Sequence, residues 1–286
     1  MNALEAVRSR VGAAIFARVA GDEGPARRDR IHGSAGPRRF GPADPIWRVH
    51  SDASMFVGGI RALLLQSLHP LAMAAVDQHS GFRGDPWGRL HRTSGFLAET
   101  TFAPIDQADR AIAIVRAVHA HISGTTPDGR PYEASDPHLL RWVHVAEVDS
   151  FLRAHDRYGS RPLTPAERDT YVAQAAVTAE LLGAEDVPRT VGELDAVLAS
   201  YRPELASTAA ARAAARFLIV HPPVPIAVRA PYGLLSAAAI GLLPRWARWP
   251  LRLPWLPGVE ATAVRAAGLT VTSGIRWAMS PPPVST

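Results

Sequence analysis

The chain has 286 residues, enough for one large domain with a substantial core, and its 31 basic against 26 acidic side chains give a formal net charge of +5. It contains no cysteine, which excludes thiolate metal sites, iron–sulfur clusters, disulfides and a cysteine nucleophile, and no lysine, which excludes Schiff-base and P-loop lysine chemistry. Every cation is therefore arginine, spread along the chain without interleaved aromatics or a nucleic-acid motif, so the basic balance does not read as nucleic-acid binding.

The N-terminal stretch MNALEAVRSRVGAAIFARVAGDEG has arginine and glutamate interrupting its apolar run, the pattern of an amphipathic helix rather than a signal peptide. A loop rich in Gly, Pro and Arg is expected over 21–46. The apolar run from Ala53 to Val76 matches the roughly 20 residues a bilayer requires. Arg61, Gln66, His69 and Pro70 inside it argue instead for a buried, proline-kinked core helix.

After a loop from Gln78 to Gly88, the segment GRLHRTSGFLAETTF predicts a helix over Arg89 to Thr101. Arg89, Arg92, Thr93, Phe96 and Thr100 fall on one face of it. That face reads either as ordinary helix surface or as a grip for an anion, since the guanidinium fork matches carboxylates bidentately.

The next helix, between Ala103 and Gly124, places Ile112, Val115, His119 and Ile122 in one stripe, so an imidazole stands where an apolar residue is expected. A buried imidazole needs a partner, which a backbone carbonyl, a water or a metal can supply. His121 lies about 200° around the helix, toward solvent, and is the rival ligand.

TTPDGRPYEASDP then reads as a turn or short hairpin around Asp128-Gly129, with Ser135 or Asp136 capping a helix that opens on Pro137. That helix carries Leu140, Val143, His144, Glu147 and Phe151 along one side, with Glu147 one turn from His144 and able to orient its ring. Further helices follow from Thr164 to Leu182 behind the capping pattern TPAE, near Val191 to Tyr201, and from Ser207 to Val220. His69 before Pro70 and His144 are pocket-lining candidates; His32, His79, His91, His138, His155 and His221 fall in loops or on polar faces.

Between Arg229 and Gly258 an apolar run, Tyr232 to Leu243, is too short to cross a bilayer. Arg245, Trp246, Arg248, Trp249, Arg252 and Trp255 follow it, a mixture found at lipid interfaces. Packing on the core is the favoured reading, with peripheral membrane contact through 232–256 as the alternative.

The segments QSLHPLAMAAVDQHSGFRGDPWGRLHRT and VRAVHAHISGTTPDGRPYEASDPHLLRWVHVAEVDSFL resemble the core of the latex clearing protein family of rubber oxygenases and its MpaB-type relatives, over roughly 47–152. The resemblance implies an all-α single domain enclosing a b-type haem, with a histidine as proximal iron ligand opposite an Arg-x-x-Lys-Thr motif. By position, His119 in His-x-x-Ile-x-Gly matches the ligand, and Arg89 and Thr93 match the motif's ends. Arg92 replaces the motif lysine and cannot act as a neutral amine ligand. No glutamate precedes Arg89 in the 53–88 stretch to match the catalytic base of the rubber-cleaving enzymes; Asp52, Asp77 and Asp85 are the nearby carboxylates.

The expectation is therefore an N-terminal helix and loop (1–46), a helical oxygenase-like core (47–225) and a Pro/Trp/Arg-rich helical segment packed on it (226–286). The function implied is haem-dependent oxidation of a hydrophobic small molecule by O2 or peroxide. His119 would bind iron, and Arg89, Arg92, Thr93, His69 and His144 would line the site. The alternative is a non-catalytic helical protein that binds haem or lipid at the membrane surface. The expected location is cytoplasmic, with any membrane contact peripheral and at the inner membrane.

Overall fold

The computed structural model describes residues 3–81 and 84–280; Phe82 and Arg83 of the quoted motif, and 281–286 of the C-terminal segment, lie outside the described residues. The chain is 71% helical with two short strands, as an all-α fold requires.

The first helices are α1 (Ala3–Ala20), α2 (Gly24–Gly33), α3 (Pro45–His50), α4 (Met55–Gln66) and α5 (Pro70–His79). They are followed by α6 (Pro86–Phe102) and α7 (Ile105–His119). A hairpin, β1 (Ser123–Thr125) and β2 (Pro131–Glu133), leads into α8 (Pro137–Tyr158), α9 (Pro165–Leu182), α10 (Val191–Ser200) and a 3₁₀ turn, Arg202–Glu204. The chain ends with α11 (Ala209–Ile219), α12 (Ile226–Leu242), α13 (Arg245–Arg248), α14 (Pro257–Val259) and α15 (Arg265–Met279).

Two expectations about elements are corrected. The 21–46 loop contains α2, because Pro25 stands in its first turn, where the missing N–H costs nothing. The apolar run 53–76 is two helices bent by 107°, not one kinked helix. His69 precedes proline and takes an extended backbone, φ −84° and ψ 115°, so α4 ends and Pro70 opens α5. Among the described residues no single helix is long and apolar enough to cross a membrane.

The core centres on α4 lying along α8. Gly58 permits the contact, since a Cβ there would stand 2.8 Å from the Phe151 ring. Trp142 is fully buried and donates from Nε1 to the Gln66 carbonyl at 3.1 Å. Arg61, only 3% exposed, donates to Asp149 Oδ2 at 2.6 Å, Ser150 Oγ at 2.6 Å and the Leu242 carbonyl at 3.1 Å. One guanidinium thus ties α4, α8 and the end of α12.

The hairpin follows α7 directly and is fastened to α5. The Tyr132 hydroxyl donates to Gln78 Oε1 at 2.7 Å, and Gln78 Nε2 donates to the Thr125 carbonyl at 3.1 Å. Gly124, the glycine of the His-x-x-Ile-x-Gly pattern, leaves room for that hydroxyl, which would lie 2.4 Å from a Cβ. Asp136 caps α8, accepting from the His138 and Leu139 amides, and Thr164 with Glu167 forms the capping box of α9.

The arginines and tryptophans after α12 divide between core and surface. Arg248 is buried and donates to the carbonyls of Leu243 at 2.6 Å and Gly241 at 2.9 Å and to Glu260 Oε1 at 2.6 Å. It is a helix-end clamp, not an interfacial cation. Trp249 is 87% exposed. The last helix is latched by Arg276, which grips both oxygens of Asp52 at 3.0 Å. Ser54 and Ser160 also donate to that carboxylate, holding its pKa down at about 2 against the cost of burial.

Two outcomes follow from these buried charges. Asp149→Ala strands the Arg61 guanidinium, and a loss of about 3–5 kcal/mol is expected in urea unfolding at neutral pH. The Asp52 pKa lies below its ordinary value, so its stabilisation is complete above about pH 4 and fades as acid approaches pH 2, by roughly 2 kcal/mol. Thermal scans of Asp52→Asn are expected to lack that part of the wild-type decline.

Candidate active site

The residues expected to carry chemistry fall into three places. His119 is the last residue of α7, at the end pinned to α9 by Arg116, which donates to the Leu181 carbonyl at 3.3 Å. Its ring is half-buried, and its Nδ1 is buried with no hydrogen-bond partner. Burial lowers the pKa of the ring, favouring the neutral imidazole. His121 is exposed and spends its Nδ1 on the Ala117 carbonyl at 2.7 Å, as the helical spacing predicts for the solvent side.

On α8, His144 and Glu147 stand one turn apart. Burial without compensating charge pushes His144 down to about 4 and Glu147 up to about 7. The His144 Nε2 is a second buried nitrogen without a partner. Glu147 lies close enough to Tyr171 of α9 for its charge to raise the pKa of that phenol. The Tyr171 hydroxyl meets His50 Nε2 at 3.3 Å, and His50 Nδ1 meets Thr101 Oγ1 at 2.8 Å. His50 is pushed down to about 3 by burial. Burial favours the neutral form of each of these two histidines, the carboxyl and the phenol, and the sequence reading reached only the α8 members. His50 and Tyr171 lie in other helices, α3 and α9, without a shared spacing to connect them to α8.

On α6, Arg89 is half-buried and donates to Ser80 Oγ at 2.7 Å. It has no carboxylate partner among the described residues, and burial together with the neighbouring Arg92 charge lowers its pKa. A desolvated cation without a counter-ion is poised for an anionic ligand. Arg92 is exposed and 3.6 Å from Asp85 Oδ2, while Thr93 is exposed and donates to the Arg89 carbonyl. The structure therefore brings only Arg89 of this trio inward.

His69 does not join the His144 side. Its ring lies beside Trp142 and His138, and Trp142 and His144 are two positions apart, about 200° around α8. Its Nε2 faces Glu204 Oε2 at 3.4 Å, and His138 Nε2 lies 2.8 Å from the same oxygen. His138 is thus part of a cluster rather than an idle loop residue, and Glu204 was not anticipated. His155, expected on a polar face, is 1% exposed, with both ring nitrogens unpartnered.

A family model described as ER-bound oxygenase mpaB/B'/rubber oxygenase, catalytic domain, matches residues 47–273. No curated protein matches the chain, and no solved structure does.

Glu147 yields a measurable outcome of its own. Because its pKa is raised from 4.5 to about 7, its neutral form suits the fold, and stability declines as pH rises from about 4.5 through 7. Glu147→Gln is expected to be more stable than wild type at pH 8, by up to about 3 kcal/mol, and equal to it near pH 4. Chemical denaturation at the two pH values reads the difference.

Proposed function

The chain belongs to the mpaB/rubber oxygenase catalytic-domain family, and on that premise we propose that it is a haem-dependent oxygenase acting on a hydrophobic small molecule, with His119 as the residue that would hold the iron. The observation that carries this reading is the buried, unpartnered nitrogen of His119, neutral by burial and sited at a helix end fixed by α9 and the hairpin. A polar atom orphaned in this way fits a ligand that the protein's own groups do not replace.

Two further residues carry chemistry that suits a b-type haem. His144 offers a second neutral imidazole, and Arg89 offers an uncompensated cation for a propionate or a substrate carboxylate. When bound, the haem supplies the iron that binds and activates O2 or peroxide. The protein's part is to orient and to manage protons. Glu147, beside Tyr171, holds and releases its proton around pH 7, and His144 is uncharged above about pH 4. Arg92, exposed next to Arg89, reinforces the positive field at that edge, and Thr93 holds the local helix turn through its bond to the Arg89 carbonyl.

The purified protein is expected to show a Soret band with about one haem per chain. His119→Ala loses haem or its axial ligation, whereas His121→Ala does not. A colourless protein that haemin does not reconstitute overturns the proposal, and the reverse mutant pattern moves the ligand to His121. Arg89→Ala is expected to weaken haem retention by ~2–5 kcal/mol, as loss of a desolvated charge partner does, against under ~1 kcal/mol for the exposed Arg92→Ala. Haem transfer to apomyoglobin measures both.

A further inference from the structure

On the other side of α8, three side chains from three separate elements converge. His69 is the extended residue between α4 and α5, His138 stands in the first turn of α8, and Glu204 closes the 3₁₀ turn after α10. One ligand atom from each lies within 4.8 Å of the other two, the only such triad of histidine or carboxylate groups among the described residues. We propose that His69, His138 and Glu204 form a zinc-binding site, with water in the fourth position, independent of the haem proposed at His119.

The spacing fits the ion. Bonds of roughly 2.0–2.1 Å at tetrahedral angles set ligand atoms about 3.3 Å apart. His69 Nε2 is 3.4 Å from Glu204 Oε2, long for a hydrogen bond and close to that edge. His138 Nε2 is at 2.8 Å and 3.0 Å from the two carboxylate oxygens, a few tenths of an ångström from it. Two imidazoles and a carboxylate suit zinc and its borderline neighbours, whereas magnesium and calcium call for oxygen ligands throughout.

The backbone carrying these donors is already fixed. The Ala206 amide donates to the Leu68 carbonyl at 2.8 Å, joining the Glu204 turn to the residue before His69. The Tyr201 hydroxyl donates to the His138 carbonyl at 2.8 Å, joining the same turn to α8. Tyr201 also receives Arg141 Nε at 3.0 Å and lies 3.4 Å from His138 Nδ1, where it can accept that proton once Nε2 binds a metal. His69 is 2% exposed and its Nδ1 has no partner, so the ring's polar outlet is the Nε2 aimed at Glu204. The side chains of His138 and Glu204 are each 43% exposed, which opens the cluster to solvent and to an entering ion.

The test is isothermal titration of zinc chloride into the full chain as purified, after EDTA has removed accessible metal. One saturable site is expected. Glu204→Gln and His138→Ala are expected to weaken binding by more than the about 10- to 100-fold that loss of an outer-shell partner costs. Binding is expected to survive in His119→Ala and His121→Ala. Zinc should raise the thermal midpoint of wild type but not of Glu204→Gln, whose surface position keeps the variant folded. Cobalt(II) in place of zinc should give the visible bands of a four-coordinate site. Equal zinc affinity in wild type and Glu204→Gln, or loss of zinc binding on His119→Ala, overturns the proposal; a colourless protein that still binds zinc at this triad would refute the haem reading alone.

Discussion

The buried contact between Arg61 and Asp149 is the constraint on which the arrangement depends. Neither side chain reaches water, so each charge is tolerable only because the other is there, with Ser150, Arg153 and the Leu242 carbonyl completing the set. Such a pair adds little net stability compared with a well-packed apolar pair. What it supplies is register. The guanidinium fork fits only when α4, α8 and the end of α12 meet at one longitudinal and rotational setting. That setting turns Glu147 toward Tyr171 of α9, and His138 toward the α4–α5 corner.

The α8 helix accordingly acts as a partition between two chemistries. Toward α9 lie groups whose neutral forms burial favours, His144 and His50 shifted down and Glu147 shifted up. Apolar surroundings account for all three shifts, without a charged partner leading any of them. Toward the corner lie a buried imidazole, His69, and the half-exposed side chains of His138 and Glu204. Neutral and wet sites on one helix demand different neighbours, and the sequence provides them: Tyr171 and Phe151 near the first, Arg141 and Glu204 near the second.

Much of this is legible in the sequence. Helix caps at Asp136 and Thr164, the hairpin at Asp128-Gly129, and the inward His119 against the outward His121 follow from local rules, and locally determined features survive folding. The long-range features were not legible. Nothing in the spacing of His50, Tyr171 and Glu147 brings them together, because their meeting depends on how α3, α8 and α9 cross. Helical periodicity treated the run through Pro70 as continuous, although the restriction proline places on His69 was sufficient to predict a corner. Arg92 and Thr93 share a helical face with Arg89 by periodicity, yet α6 turns only the first of them inward. The Arg–Trp sequence after α12 suggested one surface, but Arg248 found carbonyls to cap and went inside.

The exclusive use of arginine has a consequence for the alkaline limb of the protein's behaviour. A guanidinium keeps its charge through mild base, unlike an ammonium or a thiol, and the internal clamps of this fold are all built from guanidinium groups. With no lysine or cysteine, the remaining side chains that lose protons above neutrality are the tyrosines, and burial raises all five of them. Once the histidines and Glu147 have titrated, side-chain charge is frozen until beyond about pH 10. The molecule is built to lose its internal ion pairs from the acid side alone, and in mild base its electrostatic framework is as constant as its covalent one.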